Sequence, residues 1–178
     1  MTSLLAFTIL VGLVALERVA EMIVSRRNAA WSFARGGIES GQRHFPVMVA
    51  LHTVFLAGML VEAWWRRPDV PASLAWTMLV VVIGCQVGRW WCIWALGPHW
   101  NTRVIVVPGT PPVRRGPYRV LSHPNYVVVV VEGIALPMVH DAWITAVVFT
   151  VLNAALLTER LRVEKAALRT LPAAQSTG

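Results

Sequence analysis

Residues 126–157, YVVVVVEGIALPMVHDAWITAVVFTVLNAALL, decide how this chain folds. A helix needs about 20 apolar residues to cross a bilayer, so this stretch is more than one crossing and less than two full ones. Pro137 and the polar pair His140 and Asp141 interrupt it near its middle. The sequence therefore predicts a tight helical hairpin here. Read as one long helix, the stretch would send the basic segment after it to the opposite side from the chain's other basic segments.

Outward from the hairpin, three more apolar runs cover residues 3–24, 45–65 and 72–96, with Pro68 and Pro71 marking the turn between the second and third. The first is too long and too continuous for the apolar region of a signal peptide, so it reads as a retained span. The expected fold is all-α and integral to the membrane, with about five transmembrane helices. The last two form the tight hairpin, and a cytoplasmic cofactor-binding loop and tail complete one domain over 1–178, with three spans in 1–96 and the rest in 97–178.

Charge sets the orientation, because Lys and Arg gather in cytoplasmic segments. Arg26, Arg27, Arg35 and Arg43 follow the first span; Arg103, Arg114, Arg115 and Arg119 follow the third; Arg160, Arg162, Lys165 and Arg169 follow the hairpin. Only Arg66 and Arg67 fall opposite, while Arg18 and Arg89 lie within spans. The N-terminus is expected outside, with the C-terminus and active site on the cytoplasmic face of the inner membrane. A hairpin that only dips into the bilayer gives the same sidedness.

Composition excludes several classes. Hydrophobic residues make up 56% of the 178 and charged residues only 14%, against about a quarter charged in soluble domains, so a water-soluble globule is excluded. The net charge of +7 is accounted for by membrane topology, and no nucleic-acid partner is expected. Cys85 and Cys92 lie in one apolar run and make neither a disulfide framework nor a zinc site. The five histidines are scattered, so no metal is expected. No G-x-G-x-x-G follows a predicted strand. A non-catalytic transport or scaffold protein is the alternative class, but a small transporter would not need so long a Pro-rich loop and so large a polar tail, and a scaffold would need neither His123 nor Glu164.

That loop carries the chemistry. Residues 103–107 have the β-branched content of a short strand, residues 108–112 must turn, and Gly116-Pro117 breaks the chain before Tyr118. Pro124 suits the first turn of the next helix, which leaves His123 and that helix start facing the cytoplasm, a place for a carboxylate or other anion.

Gly116-Pro117-Tyr118-Arg119, His123-Pro124-Asn125-Tyr126 and Arg160-Leu161-Arg162-Val163-Glu164 before Leu168 resemble the isoprenylcysteine carboxyl methyltransferase and phospholipid methyltransferase superfamily. These are membrane enzymes that use S-adenosyl-L-methionine. The N-terminal half, with Glu21, Ser25, Asn28, Gly36-Gly37-Ile38-Glu39, Gly41-Gln42 and His44, resembles a short bacterial branch associated with type III polyketide synthases. The resemblance implies methylation of a hydroxyl on a lipophilic acceptor drawn from the bilayer, such as an alkylresorcinol or alkylpyrone. A prenylated or other lipid carboxylate is the alternative acceptor. The likeness also implies that His123, Tyr126 and Glu164 hold the cofactor while Gly116, Pro117 and Tyr118 shape the loop closing on it. Three positions depart from the wider pattern: Ser122 replaces an Arg, Val128 replaces a small Gly, and Lys165 replaces a second acid.

The acceptor must lose a proton, and Glu132 and His123 are candidate bases. Glu132 lies two turns into the hairpin and should face the protein interior, since an ionisable group facing lipid costs roughly 2.5 kcal/mol or more. Asn153, in the returning helix, is its candidate orienting partner. Arg162 completes the catalytic set. The plainer alternatives are that Glu132 pairs with Asn153 or Arg89 and that Arg162 is ordinary interfacial charge. Glu17 and Glu21, with Arg18 beside them, read as a buried polar seam. Trp90, Trp91, Trp94 and Trp100 read mainly as an aromatic belt.

Overall fold

A computed structural model describes residues 2–111 and 113–170. Pro112, the end of the expected turn, lies outside them with the tail beyond residue 170, and the side chains of Leu168 and Arg169 are likewise not described. Among the described residues there are five α-helices: α1 (Thr2–Phe33), α2 (His44–Arg66), α3 (Ala72–Leu96), α4 (Pro124–Met138) and α5 (Trp143–Thr170). Two short strands accompany them, β1 (Ile38–Ser40) and β2 (Val104–Val106). α1, α2, α3 and α5 are long and apolar enough to cross a membrane; α4, at 15 residues and so about 22 Å, is shorter. Five spans were expected, and four helices have spanning length.

The helices alternate in direction, and α5 packs between α2 and α4, with α3 beyond α4. A four-residue connection, 139–142, joins α4 to α5. The beginnings of α1, α3 and α5 therefore share one end of the bundle with the last turns of α2 and α4. The opposite end carries β1, β2 and the loop 97–123.

α1 shows how the two ends differ. Its buried stripe is Leu4, Phe7, Val11 and Val14 over the first half, then Glu21, Ser25 and Ser32 over the second. The apolar half joins Phe55, Met59, Ala63, Val82, Ala135, Leu136 and Phe149 in one sealed core. Outward, Leu5, Ile9, Leu13 and Leu16 are each more than half exposed at helical spacing. A surface this apolar needs lipid rather than water.

At the sealed end α5 starts without a cap of its own, and α2 supplies one. Glu62 accepts hydrogen bonds from the backbone N–H of Ile144 (3.1 Å) and Thr145 (2.7 Å) and from the Thr145 hydroxyl (2.8 Å). A carboxylate there satisfies orphan donors and matches the positive helix end. Arg66 completes the clasp, donating to Glu62 (3.0 Å) and to the Asp141 carbonyl (2.7 Å).

The strand expected at 103–107 is found as β2, and it pairs antiparallel with β1, Ile38 opposite Val106 and Ser40 opposite Val104. The fold is all-helical as expected, with this short ribbon beside the helices. α1 continues to Phe33, nine residues past the end expected for the first span, because its last turns bury serines against the loop instead of meeting water. Ser25 bonds the Asn101 and Thr102 side chains (2.8 and 2.7 Å), and Asn28 donates to the carbonyls of Gly97 (3.1 Å) and Trp100 (2.7 Å).

Candidate active site

Between the ribbon end and the sealed core lies a cavity of about 960 Å³. Arg18, Val19 and Met22 of α1 line it, as do Met48, His52 and Leu56 of α2. The loop contributes Trp100, Arg103, Tyr118 and His123, and the closing wall is Tyr126, Asn153, Leu156, Arg160 and Glu164.

The α5 wall is one helical stripe. Asn153, Leu156, Arg160 and Glu164 recur at offsets 3, 7 and 11, which is one face of a 3.6-residue helix. Arg160 donates to the Met48 sulfur at 2.8 Å and lies 5.8 Å over the Tyr126 ring. Tyr126 in turn stacks on His123, with ring centroids 5.1 Å apart and planes 9° apart. The cation and two rings make a continuous polarisable platform.

His123 precedes α4 as expected, and its side chain makes no capping bond. Gly116, Pro117, Tyr118 and Arg119 form a single 3₁₀ turn against α3. Gly116 sits at φ +56°, where an added Cβ would come 3.0 Å from Ala95 and 3.1 Å from the Trp91 ring nitrogen. Only glycine combines that backbone with that approach. The turn delivers Tyr118 to the cavity, and burial followed by the neighbouring Cys92 sulfur pushes its phenol above the ordinary tyrosine range. Tyr118 therefore stays neutral and donates.

Behind the cavity, charges close on themselves. Glu132 receives both Arg89 and Arg18, the latter at 2.6 Å, and accepts from Gln86 at 2.8 Å. Glu21 pairs with Arg18 and lies 3.4 Å from Arg89. Glu17 accepts from the Trp90 indole at 2.6 Å. Buried carboxylates held by guanidinium groups this way need no further partner.

Of the residues nominated from sequence, the structure brings Tyr118, His123, Tyr126, Asn153 and Glu164 to one wall. Gly116 and Pro117 lie behind Tyr118, off the wall. Glu132 faces inward as expected but stands off this cavity with both oxygens engaged, and Arg89 is its partner. Arg162 points away, its side chain 75% exposed and 3.5 Å from Glu159. Of the tryptophans, Trp91 and Trp94 are outward-facing, while Trp100 is buried and reaches the cavity. Val128 packs toward Gly88, whose added Cβ would come 3.4 Å from it, so α3 and α4 meet there with a small residue facing a larger one.

Sequence reasoning missed Arg160, Asn125 and His52 on the wall. The 3, 7, 11 offsets from Asn153 contain the signal for Arg160, and the same periodicity turns Arg162 outward. Four polar atoms around the cavity are sealed from water without a hydrogen-bond partner, Asn125 Oδ1, Asn153 Oδ1, Arg160 Nε and Arg89 Nε, the last of which still has the Glu21 carboxylate 3.4 Å away. Buried polar atoms are normally satisfied, so these ask for a ligand. A cavity with a guanidinium and a carboxylate one turn apart, beside stacked rings, suits a zwitterion carrying a flat base.

Fold and cavity together define an α-helical integral membrane protein with a ligand chamber under a polar loop. The model of the isoprenylcysteine carboxyl methyltransferase (ICMT) family matches residues 77–170, and the chain belongs to that family. It is thus a membrane methyltransferase, of a family whose members use S-adenosylmethionine. A Bacillus subtilis (strain 168) protein described as uncharacterized protein YpbQ is 35% identical over 163 residues, 92% of this chain and 96% of that one. No solved structure matches the chain. The matched segment supplies the platform and the α5 stripe, while Arg18, Glu21 and His52 come from the first two helices, outside it.

Proposed function

We propose that this protein transfers a methyl group from S-adenosylmethionine to a hydroxyl oxygen of a lipophilic acceptor, with alkylresorcinols and alkylpyrones as the acceptor class and a type III polyketide synthase as their source. The observation that carries this reading is the pairing of a polar stripe, Asn153, Arg160 and Glu164, with the apolar side chains Val19, Met22, Ile23, Val49 and Leu56 of α1 and α2 across one chamber. Glu164 holds the donor's ammonium or ribose hydroxyls, and Arg160 offers its guanidinium to the carboxylate. His123 and Tyr126 give the flat base a surface, and Trp100 excludes water beside them. Bound there, the sulfonium supplies an electrophilic methyl group. The protein's part is in-line placement of the acceptor oxygen in a dry chamber.

Val19, Ile23 and Thr53 line the chamber and are also exposed on the outer surface, so the gap between α1 and α2 gives a long-chain acceptor sideways access from the bilayer. The basic segments support an orientation with the ribbon end in the cytoplasm and the N-terminus outside, and with the α4–α5 hairpin as the last pair of crossings of the inner membrane.

Purified protein in detergent tests the donor site by calorimetry. Glu164→Ala and His123→Ala are each expected to weaken S-adenosylmethionine at least tenfold while the protein stays folded. Unchanged affinity in both removes them from the site. Membranes given methyl-labelled donor should yield lipid label that resists base hydrolysis, as an ether does; a base-labile ester would replace the hydroxyl with a carboxylate.

A further inference from the structure

His52 lies two turns into α2, on the chamber wall and one turn beyond Met48, which meets Arg160 of the donor platform. Its Nδ1 is 2.9 Å from the Met48 carbonyl oxygen. A carbonyl only accepts, so Nδ1 carries the hydrogen and Nε2 carries the lone pair. The ring is held edge-on against Phe149, centroids 5.2 Å apart at 83°. Nε2 has no hydrogen-bond partner among the described residues and is not among the sealed atoms, and the residue lines the chamber.

The facing helix supplies a second unmatched acceptor. α2 and α5 run antiparallel, with Met48 against Arg160, Phe55 stacked on Phe149 and Gly58 beside Thr145. That register sets Asn153 at the level of His52. Asn153 is 2% exposed and its Oδ1 has no partner. Two lone pairs at one level of an apolar chamber select a ligand that brings O–H groups and repel one that brings a carboxylate. The charged groups around His52 are Arg18 from α1, Arg89 from α3, Glu132 from α4 and Arg160 from α5 through Met48. Arg18, Arg89 and Glu132 are engaged with one another, which leaves His52 as the unengaged base at this depth.

We propose that His52 is the general base of the transfer, taking the proton of an acceptor hydroxyl at Nε2 while Asn153 Oδ1 accepts a hydrogen bond from the same acceptor and fixes its orientation. This rests on the reading of the site as a hydroxyl methyltransferase. The acceptor's O–H bond breaks and its proton passes to Nε2. The freed electron pair forms the new C–O bond as the C–S bond of the sulfonium breaks, its pair returning to sulfur, and the imidazolium then gives its proton to water.

The test uses full-length protein in detergent and a nitrophenol bearing a long alkyl chain, whose ionisation is visible as colour. Without any donor present, wild type should draw the phenol's ionisation to lower pH, and His52→Asn and His52→Gln should abolish that shift. Calorimetry with S-adenosylmethionine should give unchanged affinity in both variants, which also shows that they fold. Turnover at neutral pH should fall about 100-fold or more and recover as the pH rises to where the free acceptor ionises by itself. A colour shift that survives in both variants, or turnover within twofold of wild type, overturns the role of His52. Wild type that binds no donor and transfers no methyl group overturns the functional reading instead.

Discussion

The sealed and hollow halves of the bundle are built from the same helices and solve opposite problems. In the sealed half, Met59 and Leu136 are fully buried, and Glu62 and Arg66 hold one another and the start of α5, while His140, against Phe7, is the one buried side chain there whose ring nitrogens lack a partner among the described residues. In the hollow half, the α1 stripe turns polar at Arg18, and Asn125, Asn153 and Arg160 keep buried atoms unmatched. Burying a polar atom without a partner costs about 1–3 kcal/mol, so the hollow half is the less stable one as it stands. Apolar packing is concentrated in the sealed half, and most of the unmet bonding capacity lies around the chamber.

The boundary between the halves is the charge cluster, and it gives the largest expected effect. Glu132→Ala leaves Arg18 and Arg89 buried with one carboxylate fewer, and breaking such a set typically costs about 3–5 kcal/mol. We expect thermal unfolding in detergent to lose most of its cooperative transition. If Glu132→Ala unfolds like wild type and only turnover suffers, the cluster belongs to the chemistry and not to the divide.

Next, Glu62→Ala removes the borrowed cap of α5 and should lower stability by about 1–2 kcal/mol, with donor affinity in the folded fraction unchanged. A matching loss of affinity would mean that the sealed half tunes the hollow one. Asn153→Leu should do the reverse. By removing an orphaned amide it should leave stability equal or higher, while turnover falls at least tenfold.

Tyr118 sharpens the contrast through pH. Its phenol is raised in the folded protein above the ordinary value near 10. Its stabilising contribution is therefore fully present below pH 10 and lost as the pH rises through the folded value. Alkaline unfolding should begin above about pH 10, and Tyr118→Phe should flatten that part of the stability profile.

Legibility in the sequence divides along the same line. The bounds of α2 and α3 follow from apolar runs and prolines to within a residue or so, because lipid-facing helices have only one rule to obey. The last turns of α1 were hidden, since Ser25, Asn28 and Ser32 look like loop until Asn101 and the Gly97 and Trp100 carbonyls stand opposite them. β1 was hidden too: three residues hold too little pattern, and the partner strand lies more than sixty positions away. His123, Tyr126 and Glu164 were legible as motif. Arg160 was legible as periodicity, though unread. His52 was not legible at all, because what singles it out is a hydrogen bond to its own helix and a free nitrogen on one side.

Arg162 gives the smallest expected effect and the sharpest use of the α5 stripe. It sits two residues from both Arg160 and Glu164, about 200° around the helix from each, and among the described residues its one ion pair is an exposed one with Glu159. Exposed pairs of this kind contribute roughly 0–1 kcal/mol, so Arg162→Ala should leave unfolding and S-adenosylmethionine affinity nearly as they were. Arg160→Ala, on the other face, frees Tyr126 from its cation and Met48 from its donor, and should weaken the donor at least tenfold. If the two substitutions exchanged these outcomes, α5 would have to be rotated by half a turn, and the wall shared by Asn153, Arg160 and Glu164 would no longer face the chamber.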